Sequence, residues 1–296
     1  MFARMLVAVD GSPVSGKALE FGIARAKLHD SEITVAFAVN RLAVSVANAN
    51  PYAYVDPLPL LQALDAEADA SLAAAERRVR DAGLSARRAK LDGPPARALL
   101  AYARQVRSDA ILMGTHGRSG LERLALGSTA EDVIRAASVP VIAIPQRCPE
   151  IRAAALSRLL VAVDGSPAAD AALAVACDIA RREKATLTIC AIAEPGAFDW
   201  DDVDRDLFLS APVEEQARPL LERSARRAAD ACVKAGVDLR SGSAVAEILA
   251  AAVDCGAECI VMGTHGRAGL PRFILGSVAE GVLRSSPLPV CIVRHQ

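Results

Sequence analysis

Gly114-Thr115-His116-Gly117 is followed by nine residues and then by Gly127-Ser128. The apolar run Ala110-Ile111-Leu112-Met113 before it has the character of a buried strand. Glu131 to Ala137 after it reads as a helix with Ser128 near its start. Glycines let a backbone come close to an anion because no Cβ intervenes. A helix N-terminus adds unpaired N–H groups and a positive dipole end. The stretch therefore has the makings of a phosphate cradle at the end of a strand. It also recurs. Gly263-Thr264-His265-Gly266 is followed by the same nine-residue gap and Gly276-Ser277, after the strand-like Cys259-Ile260-Val261-Met262.

Each copy is preceded by the same series. Met5 to Val9 ends in Asp10-Gly11-Ser12-Pro13, and Leu159 to Val163 ends in Asp164-Gly165-Ser166-Pro167. Continuous apolar strands imply a sheet covered on both faces. Helical spacing puts Ala18, Leu19, Gly22, Ile23 and Ala26 on one helix face. Strands follow at Ile33–Val39, Ala86–Leu91 and Val139–Ile144, with a long helix at Leu60–Ala82 stopped by Gly83. The second half repeats this with strands at Thr186–Ala193, Val237–Arg240 and Val290–Val293, and a long helix over Glu214–Ala235 ended by Gly236. Asn40–Pro59 and the acidic Phe198–Pro212 read as loops. Strand–helix alternation of this kind builds parallel sheets. The expected domains are 1–146 and 158–296, joined by a linker over 147–157.

Bulk properties exclude several classes. Hydrophobic residues make up 52%, charged residues 23%, and the net charge is −1, which suits a globular chain rather than a disordered one. Neither a basic excess nor a supply of aromatics (3%) is present for nucleic acid. No apolar run approaches the ~18 residues of a membrane span, and the N-terminus lacks a signal-peptide layout. Seven scattered cysteines read as buried reduced thiols, which points to a cytoplasm. Cys255 and Cys259 have no neighbouring pair to complete a metal set.

Ligands of open parallel sheets bind beyond the carboxyl ends of strands, where strand order reverses. If the first and fourth strands are neighbours there, Asp10 and Gly114 share one crevice, as do Asp164 and Gly263. The glycines suit phosphate, while the carboxylate suits ribose hydroxyls or a cation through water. Asp10 also has a purely local reading, as a turn residue bonding its own backbone. His116 and His265 have no nucleophile or carboxylate placed beside them, so no catalytic residue is assigned. Arg118 and Arg267 offer a cation against phosphate or stand as solvated loop residues. Neither half carries a Gly-x-x-x-x-Gly-Lys-Ser/Thr or a Gly-x-Gly-x-x-Gly pattern.

With these residues assembled, the chain resembles a tandem universal stress protein over nearly its whole length. The first-strand signature is Val7-Ala8-Val9-Asp10-Gly11-Ser12, repeated as Val161-Ala162-Val163-Asp164-Gly165-Ser166. The Gly-2x-Gly-9x-Gly-Ser motif is the family's ATP-binding mark. The resemblance implies an α/β fold of two tandem doubly wound domains. Each would have a five-stranded parallel sheet of order 3-2-1-4-5 with helices on both faces. It places ribose and adenine by the aspartates and by second-strand positions matching Ala38 and Ile192. It places nucleotide contacts along Met113, Gly114, Thr115, His116, Gly117, Gly127, Ser128 and Thr129, with the phosphates against Gly114, Gly117, Gly127 and Ser128. The second set is Met262, Gly263, Thr264, His265, Gly266, Gly276, Ser277 and Val278. A Mg²⁺ ion carried on the phosphates is implied, with no protein metal site. Pairing through the fifth strands, Val141–Ile144 and Val290–Val293, would join the halves as a pseudo-dimer, and a homodimer is a further possibility. One departure is Ser241-Gly242-Ser243-Ala244, which stands where the first half has Gly93-Pro94-Pro95. The expected role is an ATP-dependent stress-response or regulatory protein. A slow ATPase and a partner-binding scaffold without nucleotide are the alternatives.

Overall fold

The computed structural model describes residues 2–41, 56–116, 126–149, 156–193, 213–266 and 275–295. Gly117, Arg118, Arg267, the Phe198–Pro212 loop and most of the 40–59 loop lie outside the described residues. Contacts cluster into two compact units, Phe2–Gln146, and Ala155–Gln296 with Arg147–Pro149.

The first unit alternates strand and helix. Its strands are β1 (Arg4–Ala8), β2 (Glu32–Val39), β3 (Ala86–Asp92), β4 (Ala110–Gly114) and β5 (Val141–Ile144). Among the described residues its helices are α1 (Pro13–His29), α2 (Leu58–Asp81), α3 (Pro95–Gln105) and α4 (Ser128–Ala136). The strands are parallel in the order β3-β2-β1-β4-β5. The chain therefore lays strands down in one direction to β3, then returns past β1 to add β4 and β5. The reversal point lies between β1 and β4.

The second unit has β6 (Arg158–Ala162), β7 (Thr186–Ala193), β8 (Ala235–Ser241), β9 (Cys259–Gly263) and β10 (Val290–Val293). Its described helices are α5 (Pro167–Glu183), α6 (Val213–Asp230), α7 (Ala244–Asp254) and α8 (Ser277–Ser285). The parallel order β8-β7-β6-β9-β10 repeats the first unit strand for strand. The fold is thus α/β and doubly wound in each half, with the strand order that the resemblance implies.

Central strands are buried on both faces. Leu6 and Val7 of β1, Ile111 and Leu112 of β4, and Leu160 and Val161 of β6 are fully enclosed. Helices packed on each side of the sheet leave no wet face, so these strands are runs of apolar residues rather than alternations. The outer strands β3 and β8 are mostly exposed or half-buried. In α1 the inward face holds Ala18, Leu19, Gly22 and Ala26, as the spacing predicts, but Ile23 is only half-buried. Phe21 and Arg25 are buried instead, the guanidinium lying 5.1 Å from the Phe21 ring centroid, a cation–π contact.

Helix ends differ from the sequence reading in one place that matters. The long helix of the second unit stops at Asp230, and Gly236 sits inside β8. The residue that turns the chain is Cys232, at φ +59°. Its N–H bonds Ala229 O at 2.8 Å, and Val233 N–H bonds Ala228 O at 2.9 Å. A non-glycine residue has taken a left-handed helix-stop position usually given to glycine.

Candidate nucleotide site

Each crevice begins at a turn after the first strand of its unit. Asp10 Oδ1 accepts from Ser12 N–H at 2.9 Å, and Asp164 Oδ1 accepts from Ser166 N–H at 2.9 Å. Gly11 and Gly165 stand at φ +82° and +86°, a conformation that costs glycine little. Ser12 and Ser166 cap the following helices, accepting from Ser15 N–H and Ala169 N–H at 3.2 Å. Pro13 and Pro167 occupy the first helical turn, where a missing N–H does no harm. The aspartates therefore do make the local turn bond, with one oxygen.

Strand register carries these turns to the second strand. Ala8 pairs Ala36 and Ala162 pairs Cys190. Two residues further on, Asp10 comes level with Ala38 and Asp164 with Ile192. Both second-strand residues are half-buried between buried neighbours. On the other side Val7 pairs Leu112 and Val161 pairs Val261, so the glycine motifs emerge beside the same turns.

The motif glycines do three different jobs. Gly114 and Gly263 permit close packing. A Cβ on Gly114 would stand 2.8 Å from Val14 Cγ1, and one on Gly263 would stand 2.8 Å from the Ala168 carbonyl carbon. Gly127 and Gly276 close the loop: their N–H groups bond Thr115 O and Thr264 O at 2.8 and 2.9 Å. Gly266 lets the Asp164 side chain come close, since a Cβ there would lie 2.7 Å from Asp164 Oδ2. The structure thus brings Asp164 and Gly266 together.

Thr115 and Thr264 are fully buried. Their hydroxyls bond the Nδ1 atoms of His116 and His265 at 2.9 Å, and their N–H groups bond Ile144 O and Val293 O at 3.0 Å. Met113 and Met262 are buried at the ends of β4 and β9. Burial, with Arg294 adding repulsion, pushes the His265 imidazole below its ordinary value. The neutral ring is favoured there.

Gly127 and Gly276 are the N-cap residues of α4 and α8, and among the described residues neither helix start has a side-chain cap hydrogen bond. Ser128 and Thr129 fill the first turn of α4, as Ser277 and Val278 do in α8. An uncapped first turn leaves N–H groups and the positive dipole end open to an anion. Among the described residues no three His, Cys, Asp or Glu side chains gather as a metal set.

Sequence reasoning overlooked Ser166. Its hydroxyl donates to His265 O at 3.2 Å, across 99 positions of chain, and ties the first-strand turn to the glycine motif. The Asp-Gly-Ser-Pro signature marks it as a helix cap; only the fold gives it the second bond.

The universal stress protein family profile matches residues 1–145 and again 156–294. The chain belongs to the universal stress protein family. A universal stress protein of Mycolicibacterium smegmatis is 30% identical over 305 residues, covering 98% of this chain and 96% of that one. Universal stress protein Rv2005c of Mycobacterium tuberculosis is 29% identical, covering 98% and 97%. The crystal structure of a universal stress protein from Archaeoglobus fulgidus superposes with a TM-score of 0.72 at 25% identity. It covers 99% of this chain and 96% of that one. The tandem arrangement is therefore shared along the whole length. No described helix is long and apolar enough to cross a membrane.

Proposed function

We propose that this universal stress protein binds an adenine nucleotide in each half and acts as a nucleotide-dependent regulator in the cytoplasm. Phosphates would lie at the open first turns of α4 and α8, against the motif glycines. Asp10 and Asp164 would accept hydrogen bonds from ribose hydroxyls. Ala38 and Ile192 would border the base. Mg²⁺ would ride on the phosphates, which supply its oxygen ligands.

One observation carries the reading. Asp164 Oδ2 stands 2.7 Å from where a Cβ on Gly266 would be, beside a helix N-terminus whose N-cap is a glycine. The bare glycine lets the Asp164 carboxylate reach the motif backbone. A hydroxyl acceptor and an anion acceptor side by side match a ribose joined to phosphates.

The test is a thermal melt of the nucleotide-stripped full chain with and without millimolar MgATP. Binding to the native state alone stabilises it by about 2.7 kcal/mol at 100 times the Kd. A clear rise in Tm, larger for MgATP than for MgGTP, is expected. No rise at millimolar MgATP would leave a partner-binding scaffold without nucleotide in its place.

A further inference from the structure

Between α3 and α4, at the amino edges of β4 and β5, lies a cavity of about 220 Å³. It sits at the opposite end of the first sheet from the glycine motif. Leu100, Ile111 and Val139 give it an apolar floor, and Arg104, Arg107 and Ser108 bring it two guanidiniums and a hydroxyl. No carboxylate lines it. Asp109, next in the chain, turns its carboxylate to the N–H groups of Ala3 and Arg4 at 2.8 and 3.2 Å. Arg104 Nε donates to Leu100 O at 3.2 Å, which anchors that guanidinium by one edge. Among the described residues neither arginine forms an ion pair.

Ser108 is the residue that points to a ligand. It is only 7% exposed, and its N–H is taken by Ala103 O at 2.9 Å. Its hydroxyl faces the cavity with no hydrogen-bond partner among the described residues. A polar group withdrawn from water is costly unless an acceptor or donor meets it. The arginines have a bland role, since cations at the end of α3 complement its dipole. The hydroxyl has none. The second half builds the same turn with an alanine in its place: Gly256 N–H bonds Val253 O at 3.0 Å, and Ala257 N–H bonds Ala252 O at 2.8 Å.

We propose that this cavity binds a small phosphate monoester with a short apolar group. The Ser108 hydroxyl donates to one phosphate oxygen. The two guanidiniums match the charge, since a phosphomonoester carries about −1.5 to −2 at neutral pH, and their planar forks suit its oxygens. A carboxylate would leave one cation unmatched. The apolar group rests on Leu100, Ile111 and Val139. The volume is below the roughly 300–1,000 Å³ of drug-sized ligand sites, which keeps the ligand small.

The full chain is treated with the arginine reagent phenylglyoxal, with and without millimolar phenyl phosphate, and modified arginines are mapped by peptide mass. Phenyl phosphate is expected to slow modification of Arg104 and Arg107. Arg97, exposed on the same helix outside the cavity, should react as before. Mapping by site keeps the readout separate from any binding at the glycine motifs. Inorganic phosphate and benzoate should each protect less than the ester. Ser108→Ala, the residue the second half uses, should fold normally and need about tenfold more phenyl phosphate for the same protection, the order expected for a lost hydrogen bond to a charged group. No protection of the two arginines, equal protection by inorganic phosphate or by benzoate, or protection unchanged in Ser108→Ala would overturn the proposal.

Discussion

Asp164 Oδ2 lies 2.7 Å from the point where a Cβ on Gly266 would stand. These residues are far apart in sequence and meet because β6 and β9 are neighbours across the sheet reversal. Gly266 is exposed, its φ lies outside the left-handed region, and the atom a methyl would meet belongs to a side chain rather than to backbone. Gly266→Ala should therefore cost the fold less than about 1 kcal/mol. It should weaken nucleotide binding in the second half about tenfold or more, or 1.4 kcal/mol. Calorimetric titration of the variant reads both the lost affinity and the untouched first half.

Gly114 and Gly263 should behave in the opposite way. A methyl on Gly263 would meet the Ala168 backbone at 2.8 Å, and one on Gly114 would meet Val14 Cγ1 at 2.8 Å and Ser15 N at 3.2 Å. Overpacking of this kind costs about 1–3 kcal/mol. Urea unfolding of Gly114→Ala and Gly263→Ala should show lower midpoints, with any loss of binding following from displacement of α1 or α5.

The aspartates have two separable roles. Asp164→Asn keeps an oxygen for the Ser166 N–H, so the turn survives and stability changes little. Asp164→Ala removes the turn bond as well and should cost about 1 kcal/mol more. Both should weaken nucleotide binding if the second carboxylate oxygen takes a ribose hydroxyl. Equal affinity for wild type and Asn variant, read by titration, would confine Asp164 to the turn.

His265 gives a pH signature. Its folded-state value lies below the ordinary 6.5, so between the two values the unfolded chain binds more protons. Stability from the neutral ring is fully present above about pH 6.5 and is lost as pH falls through the folded value. Melts of wild type and His265→Gln between pH 7.5 and 5 should diverge on the acid side. A constant difference in Tm across that range would show that His265 carries no such linkage.

Much of the fold was legible because its central strands are buried on both faces and so read as apolar runs, such as Met5–Val9 and Ala110–Met113. The strand order came from the resemblance and not from any periodicity. Helix ends were harder. Gly236 looked like the stop of the long second-half helix, yet the left-handed turn falls on Cys232, where composition gives no warning. Of the site, the Asp-Gly-Ser-Pro turns and glycine motifs stood out because each occurs twice. The different jobs of Gly263, Gly266 and Gly276 did not, since they depend on which atoms face each glycine across the sheet. The Ser166–His265 bond is a tertiary contact with no local trace.

Each half is proposed to hold a working nucleotide site. Calorimetric titration of the nucleotide-stripped chain with ATP and Mg²⁺, read for stoichiometry, tests it most directly. Two nucleotides per chain is the predicted result. One per chain would contradict the equivalence of the halves, and no heat together with no thermal shift would contradict nucleotide binding altogether.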